Sequence, residues 1–451
     1  MLTGMNRSLT KEHDWTPLRV EGDLPRDLSG TLYRCGPLSR ESQGAFIPDI
    51  IQGNGGLAGV RFANGTVSGA AKILQTREML EEETAGKALY SPAASKVANF
   101  MSGLQGKLKN VANTHVIPQN GELWALYELS RPVRVDPDTL DVREETTLNG
   151  VIANTFSAHP HRVEVRKALY NFGVVNGREP RVDLFELPDR GLPRKLGEVP
   201  LSYSTFVHDF MATPNYLVLF ISPIRLDGLR LRLGLGDFKD LAHWEPERGS
   251  EVIVIPIDTP EKVTRFKVSP FHVFHFANGF ESDQMIYIDF CYYDNFWMEF
   301  EAAVGAETAS PGGPLTRARI DVARETFDLE HLTDLKSEFP IVHPRIGGDE
   351  HNVVFSVTQT PDNGALRHSI VRYEASGETS TLMELGHIAS EAVFAPRSDH
   401  ETEGWLLPLV YDPKADQSYI SVIETKSMTE QARCWFDHHI PLTFHGSWVA
   451  A

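Results

Sequence analysis

Short apolar segments recur along the whole chain, and each is only four to seven residues long. They are rich in β-branched and aromatic residues, and turn clusters such as Ala63-Asn64-Gly65 and Gln119-Asn120-Gly121 separate them. This pattern is typical of β-strands joined by tight turns. The predicted strands are 31–34, 59–62, 66–70, 123–127, 167–172, 216–221, 251–257, 285–291, 352–357, 369–373, 405–411 and 418–423.

Helical periodicity is scarce, and the segments that come closest to it are 78–86, 95–108 and 226–241. Many short strands at regular spacing favour an all-β ring or sandwich over βαβ units. No low-complexity linker divides the chain, and no repeat of about 40–50 residues marks individual blades. We therefore expect residues 1–451 to form one β-propeller domain, with helices and loops capping one face. Two β-sandwich domains are the alternative.

Composition narrows the classes of partner and compartment. The 43 Lys and Arg residues against 61 Asp and Glu residues give a net charge of −18, which argues against a nucleic-acid partner. Three scattered cysteines form neither a disulfide framework nor a zinc-ribbon spacing. Apolar runs such as 216–221 are far shorter than the roughly 20 residues of a membrane-spanning helix. The N-terminal segment has no apolar signal region, so we expect a cytoplasmic protein.

Four of the 17 histidines have similar surroundings, because an aromatic residue precedes each of them by one to three positions. A buried neutral imidazole is the commonest ligand of transition metals in proteins. These histidines are too far apart for any local metal motif, so a shared site requires a closed ring that brings distant strands to one axis. Other histidines, including His161, His272, His438 and His439, compete with them. The four candidates are His159, His208, His275 and His445.

Three glutamates lie in apolar surroundings, where an unpaired carboxylate would cost several kcal/mol. Glu128 follows the predicted strand 123–127, Glu338 precedes Phe339-Pro340, and Glu391 lies within 389–394. Metal-binding histidines usually donate their second N–H group to a carboxylate or a carbonyl. The three glutamates are candidates for that role, and ordinary surface positions are the alternative.

From about Val20 to Trp448, the chain resembles the carotenoid cleavage oxygenase family, which includes apocarotenoid-cleaving and lignostilbene-cleaving enzymes. Four histidine motifs occur in the family's order, and that order favours His159 over His161 and His275 over His272. The matching segments are Val20 to Pro25, Leu28 to Pro37 (with Cys35 for the usual Asn), Ala158-His159-Pro160, His208-Asp209-Phe210, His275 with Asn278 and Glu281, and Phe444-His445-Gly446 with Trp448.

The resemblance implies a seven-bladed β-propeller with Fe(II) on its axis, held by the four candidate histidines. It further implies that Glu128, Glu338 and Glu391 orient three of these histidines, and that the methyl group of Thr114 crowds one coordination position. Four protein ligands leave up to two positions for O2 or water. A hydrolytic zinc site more often has three protein ligands and one water.

The implied reaction is oxidative cleavage of a conjugated C=C bond by O2 into two carbonyl products. The stilbene-cleaving branch typically has a lysine where this chain has Tyr127, so the sequence favours an apolar polyene, an apocarotenoid or carotenoid. Cleavage of an aryl alkene, a phenolic stilbene or vinylphenol, is the first alternative. The second is a propeller that binds hydrophobic ligands or partners without turnover. The third is an isomerase or hydrolase that uses the same iron site without redox chemistry.

Two segments mix apolar and basic residues, 95–109 and 224–235. An amphipathic surface of this kind can lie at a bilayer interface, which predicts peripheral membrane contact. The alternative is that these residues pack against the propeller as ordinary core.

Overall fold

Strands make up most of the computed structural model, which describes residues 4–90, 94, 108–228, 230, 238–296, 312–362, 365–374, 376–377, 382–385 and 387–451. The first strands are β1 (His13–Pro17), β2 (Arg19–Gly22), β3 (Gly30–Ser39), β4 (Glu41–Ser42), β5 (Ala45–Phe46), β6 (Asn54–Ala63), β7 (Thr66–Ile73), β8 (His115–Gln119), β9 (Glu122–Leu126), β10 (Val133–Val135), β11 (Val142–Glu145), β12 (His161–Val163), β13 (Ala168–Val175), β14 (Arg181–Pro188), β15 (Arg194–Pro200) and β16 (Met211–Ala212). The remaining strands are β17 (Tyr216–Ile221), β18 (Ile224–Leu226), β19 (Ala242–Trp244), β20 (Ser250–Pro256), β21 (Thr264–Val268), β22 (His272–Ser282), β23 (Met285–Tyr293), β24 (Gly313–Asp321), β25 (Thr326–Ile341), β26 (Val353–Asp362), β27 (Ala365–Glu374), β28 (Leu382–Glu384), β29 (Ile388–Pro396), β30 (Gly404–Asp412), β31 (Gln417–Glu424), β32 (Thr429–Trp435) and β33 (Gly446–Ala450).

Helices are short in the described ranges. Helix α1 (Arg77–Ala85) ends at Gly86, whose φ of 61° lies in the left-handed region that glycine adopts without a Cβ clash. This confirms the helix predicted over 78–86. Helix α2 (Phe238–Leu241) falls in the predicted segment 226–241, of which residues 229 and 231–237 lie outside the described residues. The predicted helix 95–108 also lies outside them, except for its last residue. The 3-10 helices are Gly4–Asn6, Ile50–Gln52, Glu164–Arg166 and Pro246–Arg248.

Each predicted strand overlaps an observed one, and the described strands form six larger antiparallel sheets. Consecutive stretches of chain build consecutive sheets, which gives a propeller-like ring and confirms the all-β expectation. The strand orders are β1-β7-β6-β3-β33, β11-β10-β9-β8, β12-β13-β14-β15, β16-β17-β20-β21, β22-β23-β24-β25-β26-β27-β28 and β2-β32-β31-β30-β29, with two small pairs, β4-β5 and β18-β19.

Strands from the two ends of the chain close the ring. Strand β33 pairs with β3, so that Leu32 lies opposite Trp448. Strand β2 pairs with β32, so that Val20 lies opposite Cys434. These pairings place residues near the C-terminus, including the segment before β33, against strands formed by the first third of the chain.

Apolar side chains fill the space between neighbouring sheets. Leu32 and Leu407 are fully buried in one cluster, which joins the sheets that contain β3 and β30. Leu184 and Leu219 are fully buried in another, which joins the sheets that contain β14 and β17. Packing of this kind fixes each sheet relative to the next and holds the innermost strands around one axis.

Shortening Leu407 to alanine is expected to lower the free energy of unfolding by about 2–5 kcal/mol, because it leaves a cavity between two sheets. Urea denaturation followed by far-UV circular dichroism measures the change. Leu192, which is 79% exposed, provides the matched control. Leu192→Ala is expected to change the same quantity by no more than about 0.5 kcal/mol. Equal effects of the two substitutions would contradict the assignment of Leu407 to the core.

The proposed amphipathic segment 224–235 is partly described. Ile224 and Leu226 are buried, and they belong to β18, which pairs with β19. For these two positions the structure therefore favours packing as core. No described helix combines the length and the apolar character needed to cross a bilayer.

Candidate metal centre

Four histidines from different parts of the ring meet at one point. Their candidate ligand nitrogens all lie within 4.8 Å of one another, and these histidines are His159, His208, His275 and His445. The Nε2 atom of His208 lies 2.9 Å from that of His159 and 3.2 Å from that of His275. Two nitrogens bound at a right angle to an ion, each about 2.1 Å from it, would be about 3.0 Å apart. The spacing therefore fits a shared metal ion.

Each of these histidines lies at or near the start of a strand that ends its sheet, which we call the inner strand. His159 precedes β12, His208 precedes β16, and His445 precedes β33, whereas His275 lies within β22. The Ser157 hydroxyl links two of these loops, because it accepts a hydrogen bond from the His159 amide at 3.1 Å and donates one to the His208 carbonyl at 3.2 Å. The convergence thus follows from the ring, since the inner strands surround its axis.

Burial opposes a positive charge on two of the four imidazoles. Burial, together with the neighbouring imidazoles, lowers the pKa of His159 and His445 well below the usual value. Burial also lowers the pKa of His275, but the adjacent Glu338 carboxylate outweighs it and raises the pKa to about 9. The neutral imidazole is the form that binds metals. Four imidazole nitrogens directed at one point are a donor set that suits a transition metal.

The competing histidines have other partners. His161 Nε2 lies 2.8 Å from Asp209 Oδ1, and His272 Nδ1 lies 2.8 Å from the Ser222 hydroxyl. His439 Nε2 faces the Ser8 carbonyl at 3.1 Å. The structure therefore brings together the four histidines that the family order selects and leaves these neighbours outside the cluster.

The three candidate glutamates each contact one of the clustered histidines through its outer nitrogen. The distances are 3.2 Å from His208 Nδ1 to Glu128 Oε1, 2.6 Å from His275 Nδ1 to Glu338 Oε2, and 2.9 Å from His445 Nδ1 to Glu391 Oε1. A carboxylate there accepts the Nδ1 proton, which leaves Nε2 with a lone pair that points into the cluster. Metal binding and the orienting role remain predictions for these residues.

Further partners hold two of these carboxylates. The Thr114 hydroxyl lies 3.2 Å from Glu128 Oε2, and the Tyr293 hydroxyl donates to Glu338 Oε1 at 2.6 Å. Burial alone would raise the pKa of Glu128, but the hydrogen bonds from His208 and Thr114 bring it below its usual value. Thr114 also accepts a hydrogen bond from the His445 amide through its carbonyl at 3.2 Å. Thr114 therefore lies between two of the histidine–glutamate pairs.

Arg34 is a residue of this site that the sequence analysis did not single out. Its guanidinium is 1% exposed and donates to Glu391 Oε2 at 3.1 Å, on the opposite oxygen from His445. The same Glu391 oxygen accepts the Gly446 amide at 3.1 Å. Arg34 is the one charged residue of strand β3, and that was the signal available in the sequence, because a charge that becomes buried requires a partner.

Phe339 is a second residue that sequence reasoning missed. Its ring centroid lies 5.1 Å from that of His275 and 5.5 Å from that of His445. Its φ of 55° is unusual for a residue with a side chain and costs about 1–3 kcal/mol. This conformation directs its amide to Glu338 Oε2 at 2.6 Å. Phe339 therefore packs against two of the histidines and supports one of the carboxylates.

Aromatic residues form one wall of the site beside His208. Phe206 stacks near the His208 ring at 5.9 Å, and Phe274 contacts it edge-on at 5.6 Å. Phe206, Phe274 and Trp244 keep part of their surface exposed and pack on a buried apolar cluster. Burial and the adjacent Glu128 raise the pKa of Tyr127, so its phenol stays neutral. Phe206 and Phe274 thus offer apolar contacts beside His208.

Comparisons with known proteins agree with this geometry. The model of a family described as retinal pigment epithelial membrane protein matches residues 6–450. The apocarotenoid-15,15'-oxygenase of Synechocystis sp. is 29% identical, over 98% of this chain and 95% of the relative. The lignostilbene-alpha,beta-dioxygenase isozyme III of Sphingomonas paucimobilis is 26% identical, over 100% of this chain and 97% of the relative. The crystal structure of cobalt-substituted Synechocystis ACO superposes with a TM-score of 0.88 at 27% identity, over 99% of this chain and 98% of that one.

Proposed function

The chain belongs to the retinal pigment epithelial membrane protein family, the carotenoid cleavage oxygenases, and we propose that its substrate is an apocarotenoid or carotenoid. Enzymes of this family are dioxygenases that cleave alkenes, and the chain is an enzyme of that type. In the proposed reaction, one conjugated C=C bond and one O2 molecule give two carbonyl groups. Each product receives one oxygen atom, and no proton is gained or lost.

We further propose that Fe(II) occupies the cluster of His159, His208, His275 and His445. The 2.9 Å separation between the Nε2 atoms of His159 and His208 and the 3.2 Å separation between those of His208 and His275 support this proposal. So do the burial of His159, His208 and His445 and the carboxylates behind three of the four histidines. The chemistry that Fe(II) supplies in such a site is the activation of O2. The four imidazoles bind the ion without adding charge, since the neutral form is the ligand.

The surrounding residues orient the ligands and exclude water. Glu128, Glu338 and Glu391 each hold one imidazole in the tautomer whose Nε2 is unprotonated. Thr114 limits the space at one coordination position, in the role that the family resemblance implies. The reaction moves no proton, so the site requires no general acid or base. The aromatic wall beside His208 shields the reacting bond from solvent.

The aromatic wall is the observation that carries the choice of substrate. Phe206 and Phe274 present apolar surface next to His208, which suits a polyene chain. At the position where a lysine would bind a phenolate, the neutral phenol of Tyr127 provides no cation. A phenolic stilbene or vinylphenol is the alternative substrate. It is supported by a lignostilbene-cleaving relative whose identity, 26%, is close to the 29% of the apocarotenoid oxygenase.

A direct competition between substrate classes tests this proposal. We expect the iron-loaded protein to cleave apocarotenals with a kcat/KM at least about tenfold higher than that for hydroxystilbenes, a difference of about 1.4 kcal/mol. Product analysis under 18O2 should find one labelled oxygen in each carbonyl product. A Tyr127→Lys variant serves as the matched comparison and should shift the preference towards hydroxystilbenes. A wild-type preference for hydroxystilbenes would contradict the proposed substrate and favour the alternative.

We also propose that the ring has seven blades. The seven-stranded sheet contains enough strands for two blades that share the long strand β25 (Thr326–Ile341). Strand β25 also contacts β29 of the neighbouring sheet. The cap over the metal-bearing face, the cytoplasmic location and the peripheral membrane contact remain predictions, and most of segment 95–108 lies outside the described residues.

A further inference from the structure

Arg34 gives one of the three carboxylate–histidine pairs an electrostatic environment unlike that of the other two. Glu391 contacts the Arg34 guanidinium at 3.1 Å, whereas the further side-chain partners described for Glu128 and Glu338 are the neutral hydroxyls of Thr114 and Tyr293. Unlike lysine or histidine, arginine keeps its charge in proteins even when buried. The positive charge beside Glu391 is therefore permanent.

The surrounding structure fixes the guanidinium from several directions. Its Nε atom donates to the Thr443 hydroxyl at 3.2 Å, and one terminal nitrogen donates to the Ser390 hydroxyl and the Phe444 carbonyl, both at 3.0 Å. Arg34 lies on β3, Ser390 and Glu391 lie on β29, and Thr443 and Phe444 precede β33. The charge is thus held where the first and last parts of the chain meet.

We propose that Arg34 sets the total charge of the metal-binding cage to −2, which matches a divalent ion. This inference rests on the proposed metal site. With the metal bound, the four imidazoles are neutral and contribute nothing, three ionised carboxylates contribute −3, and Arg34 contributes +1. Arg34 acts through Glu391 and does not touch the ion, so it is a positioning and charge-tuning residue.

The Fe(III)/Fe(II) equilibrium distinguishes a charge effect of Arg34 from a purely structural role. In a buried site, charges about 10 Å apart still interact, because little water screens them. Removing the charge of Arg34 leaves a cage of −3, which favours the ferric ion. Removing the charge of Glu391 leaves −1, which favours the ferrous ion. The two changes therefore shift the equilibrium Fe(III) + e⁻ → Fe(II) in opposite directions, and removing both charges restores −2.

A redox titration of the iron-loaded protein tests the proposal. Chemical mediators supply the electron, and the electron paramagnetic resonance signal of high-spin Fe(III) reports the oxidised fraction. At a fixed potential, we expect Arg34→Met to lower the Fe(II)/Fe(III) ratio at least about tenfold and Glu391→Gln to raise it by a similar factor. A tenfold change corresponds to about 59 mV for a one-electron couple. The double variant and Arg34→Lys should both lie close to the wild type.

Controls separate the charge effect from folding and from the proposed function. Arg317→Met removes a comparable guanidinium that is not part of the histidine cluster, and it should leave the ratio unchanged. The Nε atom of Arg317 lies 2.7 Å from Asp289 Oδ1. If the single variants do not fold, the double variant remains measurable, because replacing both partners of a buried pair is often tolerated, and a ratio far from the wild type would still overturn the proposal. Shifts of the same sign in the single variants, or a double variant far from the wild type, would overturn the proposal. A wild-type protein that retains no iron would instead refute the metal site itself.

Discussion

Replacing His445 by alanine is expected to abolish both iron retention and alkene cleavage. The substitution removes one of four nitrogens that converge within 4.8 Å, and it leaves Glu391 without the imidazole that it orients. Loss of an orienting partner alone typically lowers metal affinity about 10- to 100-fold. We therefore expect the loss of a ligand to lower it by more than about 100-fold. Elemental analysis after dialysis and product formation from an apocarotenal measure the two effects.

His161 provides the matched control for this experiment. It lies two positions from His159, but its ring faces Asp209 at 2.8 Å and not the cluster. His161→Ala should retain the iron content of the wild type, although the loss of its contact with Asp209 lowers stability. Full iron content in His445→Ala would remove that residue from the site. Iron loss in His161→Ala without unfolding would mean that the nearby competitor takes part in binding.

The strands of the fold were predictable because they depend on local pattern. The predicted strand 216–221 coincides with β17, and 418–423 lies within β31. Partly exposed strands such as β15 and β21 were missed, since their mixed polar sequences carry weak alternation. Ring closure through β33 and β3 is not encoded locally, because it pairs the two ends of the chain.

The histidines of the site could be ranked only with the help of the family resemblance. His272 and His275 each directly follow a phenylalanine, and neither spacing nor composition distinguishes them. Their environments differ because β22 contains register shifts between Val273 and Asn278, which change the direction of successive side chains. Such irregularities depend on the neighbouring strand and leave no clear local signal in the sequence.

Arg34 and Tyr293 show a different limit of sequence reasoning. Arg34 lies 357 positions from Glu391, and Tyr293 lies 45 positions from Glu338. A single sequence indicates that a buried charge needs a partner, but it does not indicate which one. The partners are determined by which strands meet at the axis, and this becomes visible only in the assembled ring.

Replacing Glu338 by alanine is expected to lower the affinity for divalent metal about 10- to 100-fold. His275 Nδ1 lies 2.6 Å from this carboxylate, the shortest of the three histidine–glutamate contacts, and would lose the acceptor that fixes its tautomer. Tyr293→Phe should have a smaller effect, because Glu338 keeps its contacts with His275 and with the Phe339 amide. Competition with a coloured chelator for Co²⁺ measures both affinities.

We expect Glu338→Ala to lower Co²⁺ affinity more than Tyr293→Phe does. A hydrogen bond to a charged carboxylate contributes about 1.5–3 kcal/mol to stability. Tyr293 affects the metal only through Glu338, so the effect of its loss on metal affinity is smaller. Tyr170→Phe removes a similar buried hydroxyl, which bonds Glu186 at 3.1 Å in another sheet, and should leave Co²⁺ affinity unchanged. If Glu338→Ala bound Co²⁺ as tightly as the wild type, the carboxylate would not orient His275. If Tyr293→Phe lost more affinity than Glu338→Ala, the hydroxyl would act on the site by a route other than Glu338.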